Sequence, residues 1–222
     1  MITKDILKFL KELKENNNRE WFAENKEWYE KSKKDFSEFV ELLILEIRKF
    51  DPEIGPMEAK DCQFRIYRDV RFSKDKSPYK TNFGAYISRG GKKLNFAGYY
   101  FHMEPGEYFM SGGIYMPDGV VLKAIRQEIY HRIDEFKAIM NAPAFKKYFN
   151  GLSEMEKLKS APKDFPKDFP DMELLKYKHY IMSRDLKEKE VLSEDILKMA
   201  RETYKAMVPF NHFMNAVIED VI

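Results

Sequence analysis

Six cations between Cys62 and Gly84, in the run CQFRIYRDVRFSKDKSPYKTNFG, are of the types that hold oxyanions, and five of them, Arg65, Arg71, Lys74, Lys76 and Lys80, are expected to supply charge to a ligand, with Arg68 the more structural one. Guanidinium forks grip phosphate or carboxylate groups bidentately, and lysines add point charge. Tyr67 and Tyr79 lie among them and would stack on, or hydrogen-bond, the body of such a ligand. From residue 60 to residue 93 there are ten Lys or Arg against three acids, an excess of seven in a chain whose net charge is only +2. A local excess of this size attracts anions whatever the total charge.

A second group could move protons. His102 and Glu104 stand two apart, so on a strand they share a face, and Asp69 would orient them or bind a metal. His102-Met103-Glu104 superficially matches the His-x-Glu of zinc deaminases, but the paired cysteines that complete such a site are absent. The four histidines, at 102, 131, 179 and 212, lack ligand spacing, so neither a metal nor a cofactor is expected.

These side chains need a sheet to gather them. From Cys62 to Met116 the apolar period is two, and strands are expected near 62–71, 83–89, 95–104 and 107–116. The basic loop, a Gly90-Gly91 turn and a tight Pro105-Gly106 turn would connect them as an antiparallel meander. Alternation then sorts Ala97, Tyr99, Phe101, Met103, Tyr108, Met110 and Ile114 onto an apolar face. The other face would collect Arg65, Tyr67, Asp69, Arg71, Tyr86, Tyr100, His102, Glu104, Ser111 and Tyr115. Arg68 is the one polar member expected on the apolar side of the first strand. A fifth strand is expected at 176–183.

Helices flank the sheet. Ile6, Leu7, Leu10 and Leu13 keep helical spacing behind a Thr3 cap, and Asn18 caps a longer helix that carries an aromatic stripe to Asp51-Pro52. Further helices follow Pro117-Asp118, Pro143 and Ser193, with Pro209 interrupting the last. The tandem Lys-Asp-Phe-Pro at 163–170 reads as an extended ordered loop whose Phe165 and Phe169 dock onto the body. The fold expected is α+β: one domain over 1–222, helical in 1–52, with an antiparallel sheet of four to five strands in 62–116, and helices with an extended loop in 117–222.

With 44% apolar, 15% aromatic and 34% charged residues, a packed core is favoured over disorder. The single Cys62 excludes an internal disulfide framework, and with no signal-peptide pattern and no long apolar run it points to a cytoplasmic protein without membrane contact.

The run FRIYRDVRFSKDKSPYKTNFGAYI, with GYYFHMEPGE, GGIYMP, PKDF and MELLKYK after it and NNREWF before it, resembles a family of bacterial conserved hypothetical proteins, domain of unknown function 2461. The resemblance covers nearly the whole chain, and its Arg65-to-Lys80 signature is specific. It implies a single-domain cytoplasmic protein and carries no activity or catalytic residue with it.

Three functional readings follow from the residues. The leading one is a binding protein for an anionic ligand, either nucleic acid or a phosphorylated metabolite, using Arg65, Tyr67, Arg71, Lys74, Lys76, Tyr79, Lys80, Tyr100 and Tyr115. The alternatives are a hydrolase-type enzyme acting through His102, Glu104 and Asp69, and a structural protein whose basic cluster is an internal salt network.

Overall fold

The structure, a computed structural model, describes residues 1–221. Helix α1 (Lys4–Glu15) opens at Thr3, whose hydroxyl accepts from the Ile6 amide, and buries Ile6, Leu7, Phe9, Leu10 and Leu13. The long aromatic helix expected after Asn18 is two pieces, α2 (Arg19–Glu24) and α3 (Lys26–Arg48). The break falls at Asn25, whose side-chain amide donates to the Trp21 carbonyl and competes with the helical ladder. Tyr29, Phe36, Phe39, Val40, Leu43 and Ile47 of α3 keep the three-to-four rhythm and enter the core.

The strand expected at 62–71 does not form. A short helix α4 (Ala59–Cys62) leads into irregular chain that touches the sheet through one bridge, Gln63 opposite Ala85. Burial explains the failure: of the supposed inward set, Cys62 and Ile66 are buried, while Phe64 is 41% and Phe72 95% exposed. The chain doubles back instead. The Arg68 amide donates to the Pro78 carbonyl and the Lys80 amide to the Ile66 carbonyl, so residues 69–77 form the tip of a small hairpin. Asp75 stabilises that tip by accepting from the Ser77 amide and hydroxyl.

The sheet comprises β1 (Phe83–Ile87), β2 (Gly98–Glu104), β3 (Glu107–Ile114) and, after a long excursion, β4 (Tyr180–Leu186). All three pairings are antiparallel in the order β1-β2-β3-β4. The sheet therefore draws on 83–114 and 180–186, not on 62–116, and its last strand lies four residues later than expected at its start. Pro105 and Gly106 join β2 to β3, with Gly106 at φ +90°, where a side chain would be strained.

One sheet face holds Ala85, Ile87, Tyr99, Phe101, Met103, Met110, Ile114, Tyr180 and Met182, all buried. Helix α3 packs against this core. The excursion between β3 and β4 supplies α5 (Gly119–His131), α6 (Ile133–Asn141), α7 (Pro143–Lys146) and α8 (Met172–Leu175). After β4 come α9 (Glu188–Val191), α10 (Ile196–Lys205) and α11 (Val208–Glu219), with Pro209 in the first turn of α11, where its missing amide costs nothing. From α10, Tyr204 packs its ring on Tyr99 and donates its hydroxyl to the Tyr100 carbonyl. In the extended loop Phe165 and Phe169 both meet the Tyr130 ring, as the tandem motif predicts. The architecture is α+β, and no helix among the described residues is long and apolar enough to cross a membrane.

Candidate ligand site on the polar sheet face

The opposite face follows from register. Tyr100, His102 and Glu104 on β2 lie beside Ser111, Phe109 and Glu107 on β3. Tyr100 reaches across Gly84 of β1, where a Cβ would sit 2.5 Å from the phenol oxygen. The glycine is thus a space for this ring.

His102 is the centre of the face. Its ring stacks on Phe109, with centroids 4.5 Å apart and planes 9° from parallel. Nδ1 lies 2.9 Å from the Tyr100 hydroxyl and 3.4 Å from the Asn82 side-chain nitrogen. Nε2 is buried without a hydrogen-bond partner, and stands 3.8 Å from the nearer Glu104 oxygen. The other Glu104 oxygen accepts from the Thr81 hydroxyl at 2.8 Å and from Lys14 at 3.0 Å. Burial pulls the imidazole pKa below its usual 6.5, against the upward pull of Glu107 and Glu104, so the ring is neutral at pH 7. Burial, with the same two carboxylates behind it, pushes the Tyr100 phenol up to about 12.

Two of the six cations of the basic segment are neutralised within it. Arg68 pairs with Asp75, and does not sit on an apolar strand face as expected. Arg71 holds both oxygens of Asp69, at 2.9 and 2.7 Å, which keeps that carboxyl below its usual range. Lys76 donates to the Val70 carbonyl. Asp69 is therefore engaged in the hairpin tip, and the structure does not bring it together with His102 and Glu104.

Lys80 and Arg65 are different. The Lys80 ammonium sits 5.2 Å from the centre of the Phe64 ring, and Phe64 meets the Tyr100 ring edge-on at 6.1 Å. Partial burial lowers the Lys80 pKa, and the charge acting on it is the Arg65 guanidinium, which lowers it further. Neither cation has a carboxylate within ion-pair distance among the described residues, and Lys74, exposed at the tip, has none either.

The remaining expected residues scatter. Tyr79 is buried and stacked on Phe22 at 3.9 Å, with its backbone held by both side-chain atoms of Asn17. Tyr67 is half-exposed and leans on the same two rings. Tyr115 lies beyond the end of β3, stacked on His179. The sequence reading missed Phe64, Thr81, Asn82, Phe109 and Glu107. Glu107 had a signal: a two-residue Pro-Gly connection must place it directly opposite Glu104.

A family model for conserved hypothetical proteins, DUF2461, matches residues 5–213. The chain belongs to that family. No curated protein and no solved structure matches it. The DUF2461 match runs from α1 into α11, so it includes both the hairpin cations and the His102 face.

Proposed function

We propose that this DUF2461 protein binds a compact anionic ligand at the border of the hairpin and the polar sheet face. Arg65 and Lys80 hold a phosphate or carboxylate, and Phe64 and Tyr100 pack against the rest of the molecule. The observation that carries this reading is Arg65 with Lys80: two cations close enough for one to act on the other, one of them partly desolvated and over a partly exposed ring, with no counter-ion among the described residues. Like charges placed together cost free energy, which an incoming anion removes. Arg68 and Arg71 are already paired, so the line of free cations that a nucleic-acid strand needs is short. A phosphorylated metabolite fits better than an extended strand.

The test is a panel of inorganic phosphate, pyrophosphate, nucleotides and sugar phosphates, screened by thermal shift and followed by calorimetry, with single-stranded DNA across a salt series alongside. A hydrogen bond to a charged group is worth about 1.5–3 kcal/mol, so Arg65→Ala and Lys80→Ala should each weaken the best ligand by about tenfold or more. Lys74→Ala, at the tip, should change little. Binding that ignores Arg65→Ala and Lys80→Ala, or no binding by any of these anions, refutes the assignment. Tight strand binding with a steep salt slope would replace the metabolite by nucleic acid.

A further inference from the structure

We infer that His102, Glu104 and Glu107 form a binding site for one divalent first-row transition ion. One ligating atom from each residue lies within 4.8 Å of the other two. The inference does not depend on the anion reading, because its ligating side chains are different ones.

Two observations beyond proximity point to a cation. The first is the bare Nε2 of His102. It is buried and unpartnered, and 3.8 Å from Glu104 is too long for a hydrogen bond and a few tenths of an ångström beyond the roughly 3.4 Å edge of a tetrahedron whose ligands each sit about 2.1 Å from one metal. The second is the register. Glu104 and Glu107 are directly opposite across the hairpin, a like-charge cross-strand pair that is destabilising unless something positive stands between. Lys14 reaches one oxygen of Glu104 and leaves the other facing the imidazole.

The supporting contacts are those of a ligand set. The Tyr100 hydroxyl at Nδ1 can accept from Nδ1–H, and in that tautomer the lone pair lies on Nε2. Thr81 and Lys14 hold the Glu104 carboxylate, and the Phe109 ring holds the imidazole plane. Glu107 is exposed and can swing in to close the set. One imidazole with two carboxylates favours Mn²⁺, Fe²⁺, Co²⁺, Ni²⁺ or Zn²⁺ over Mg²⁺ or Ca²⁺, which prefer oxygen alone. The other cluster of this kind among the described residues, Asp51, Glu53 and His212, lacks these signs. Its His212 nitrogen already bonds Asp51 at 3.2 Å, and the second Asp51 oxygen accepts from Tyr99.

The experiment titrates MnCl₂, CoCl₂, NiCl₂, ZnCl₂ and MgCl₂ into tag-free, chelator-stripped protein by calorimetry, and records the visible spectrum of the Co²⁺ form. One ion per chain is expected, with Mg²⁺ much the weakest. Glu107→Gln, at an exposed position, should leave the melting temperature of the stripped protein level or raised and weaken the ion by about tenfold or more. His102→Gln should abolish the cobalt spectrum, and His212→Gln should change neither readout. No transition ion bound below millimolar concentration, or an affinity untouched by Glu107→Gln and His102→Gln, overturns the site.

Discussion

Replacing Lys80 by Met should stabilise the protein while damaging its ligand binding, and the two effects test one physical claim. The methionine keeps an unbranched side chain of similar length but removes a partly buried ammonium that stands over the Phe64 ring and in the field of Arg65. Near a surface, after solvent screening, relieving such a repulsion and desolvation is worth about 0.5–1 kcal/mol. For a chain of this length that raises the melting temperature by about 1–4 °C. The pH dependence has a definite sign. Because the folded-state pKa of Lys80 lies below 10.5, the unfolded chain binds more protons between those two values, and wild-type stability gains from this group as pH rises through that window. The advantage of Lys80→Met is therefore full at neutral pH and shrinks as Lys80 discharges in the folded protein. Differential scanning calorimetry of both proteins from pH 7 to pH 10 reads the difference directly. With ligand present the order reverses. A ligand at a hundred times its Kd adds about 2.7 kcal/mol of stability, and a tenfold loss of affinity cuts that to about half. A melting temperature lowered by more than about 2 °C in ligand-free Lys80→Met would mean that the ammonium has a stabilising partner, and the argument for an unpaired cation would fail.

Two further substitutions and one titration probe the scaffold. Gly84→Ala places a methyl group where the Tyr100 phenol now lies, so the ring must leave His102; overpacking of this kind costs about 1–3 kcal/mol, read as a lowered denaturant midpoint. A loss below about 0.5 kcal/mol would show that Tyr100 moves aside freely. Asp51→Ala should cost about 1–3 kcal/mol by stranding the buried Tyr99 hydroxyl, and adding Tyr99→Phe should recover part of it, whereas strictly additive losses would remove the bond from the account. The His102 ring, followed by NMR in metal-free protein, should titrate below 6.5, so this residue contributes stability that declines as pH falls from about 6.5 toward its folded pKa. A midpoint above 6.5 would mean that Glu104 and Glu107 outweigh burial.

The sheet was legible where one face had to be buried. From Tyr99 to Ile114 the alternation of large apolar residues fixes strands, pairing and faces, and the structure repeats that sorting residue by residue. Residues 62–72 alternate equally well and form no strand. Alternation states what a strand would bury, and cannot state that a partner strand is available. Phe64 and Phe72 remain largely exposed, and local bonds from Asp75 and the Pro78 carbonyl turn the chain instead. The same turn decided the candidate residues. Asp69 was expected beside His102 on a shared face, but the hairpin gives it to Arg71, while Phe64 and Lys80 enter because the two hairpin legs meet. Contacts set by a loop's return path depend on geometry that no local spacing encodes.

The polar face also differs from a surface that is merely wet. An antiparallel sheet with one face in the core can leave the other to short polar side chains. This face instead carries Tyr100, His102 and Phe109 on its strands, with Phe64 laid over the edge, and the rings shield one another. Their mutual burial withdraws water from His102 without supplying a partner for Nε2, just as the hairpin withdraws water from Lys80 without supplying an acid. Packing alone does not account for the charge of Lys80, since Met would fill the same space without it, and the bond of His102 to Tyr100 uses Nδ1 and leaves Nε2 bare. Two such groups joined by the Phe64–Tyr100 contact are more economically explained by ligands that complete them than by two separate packing defects.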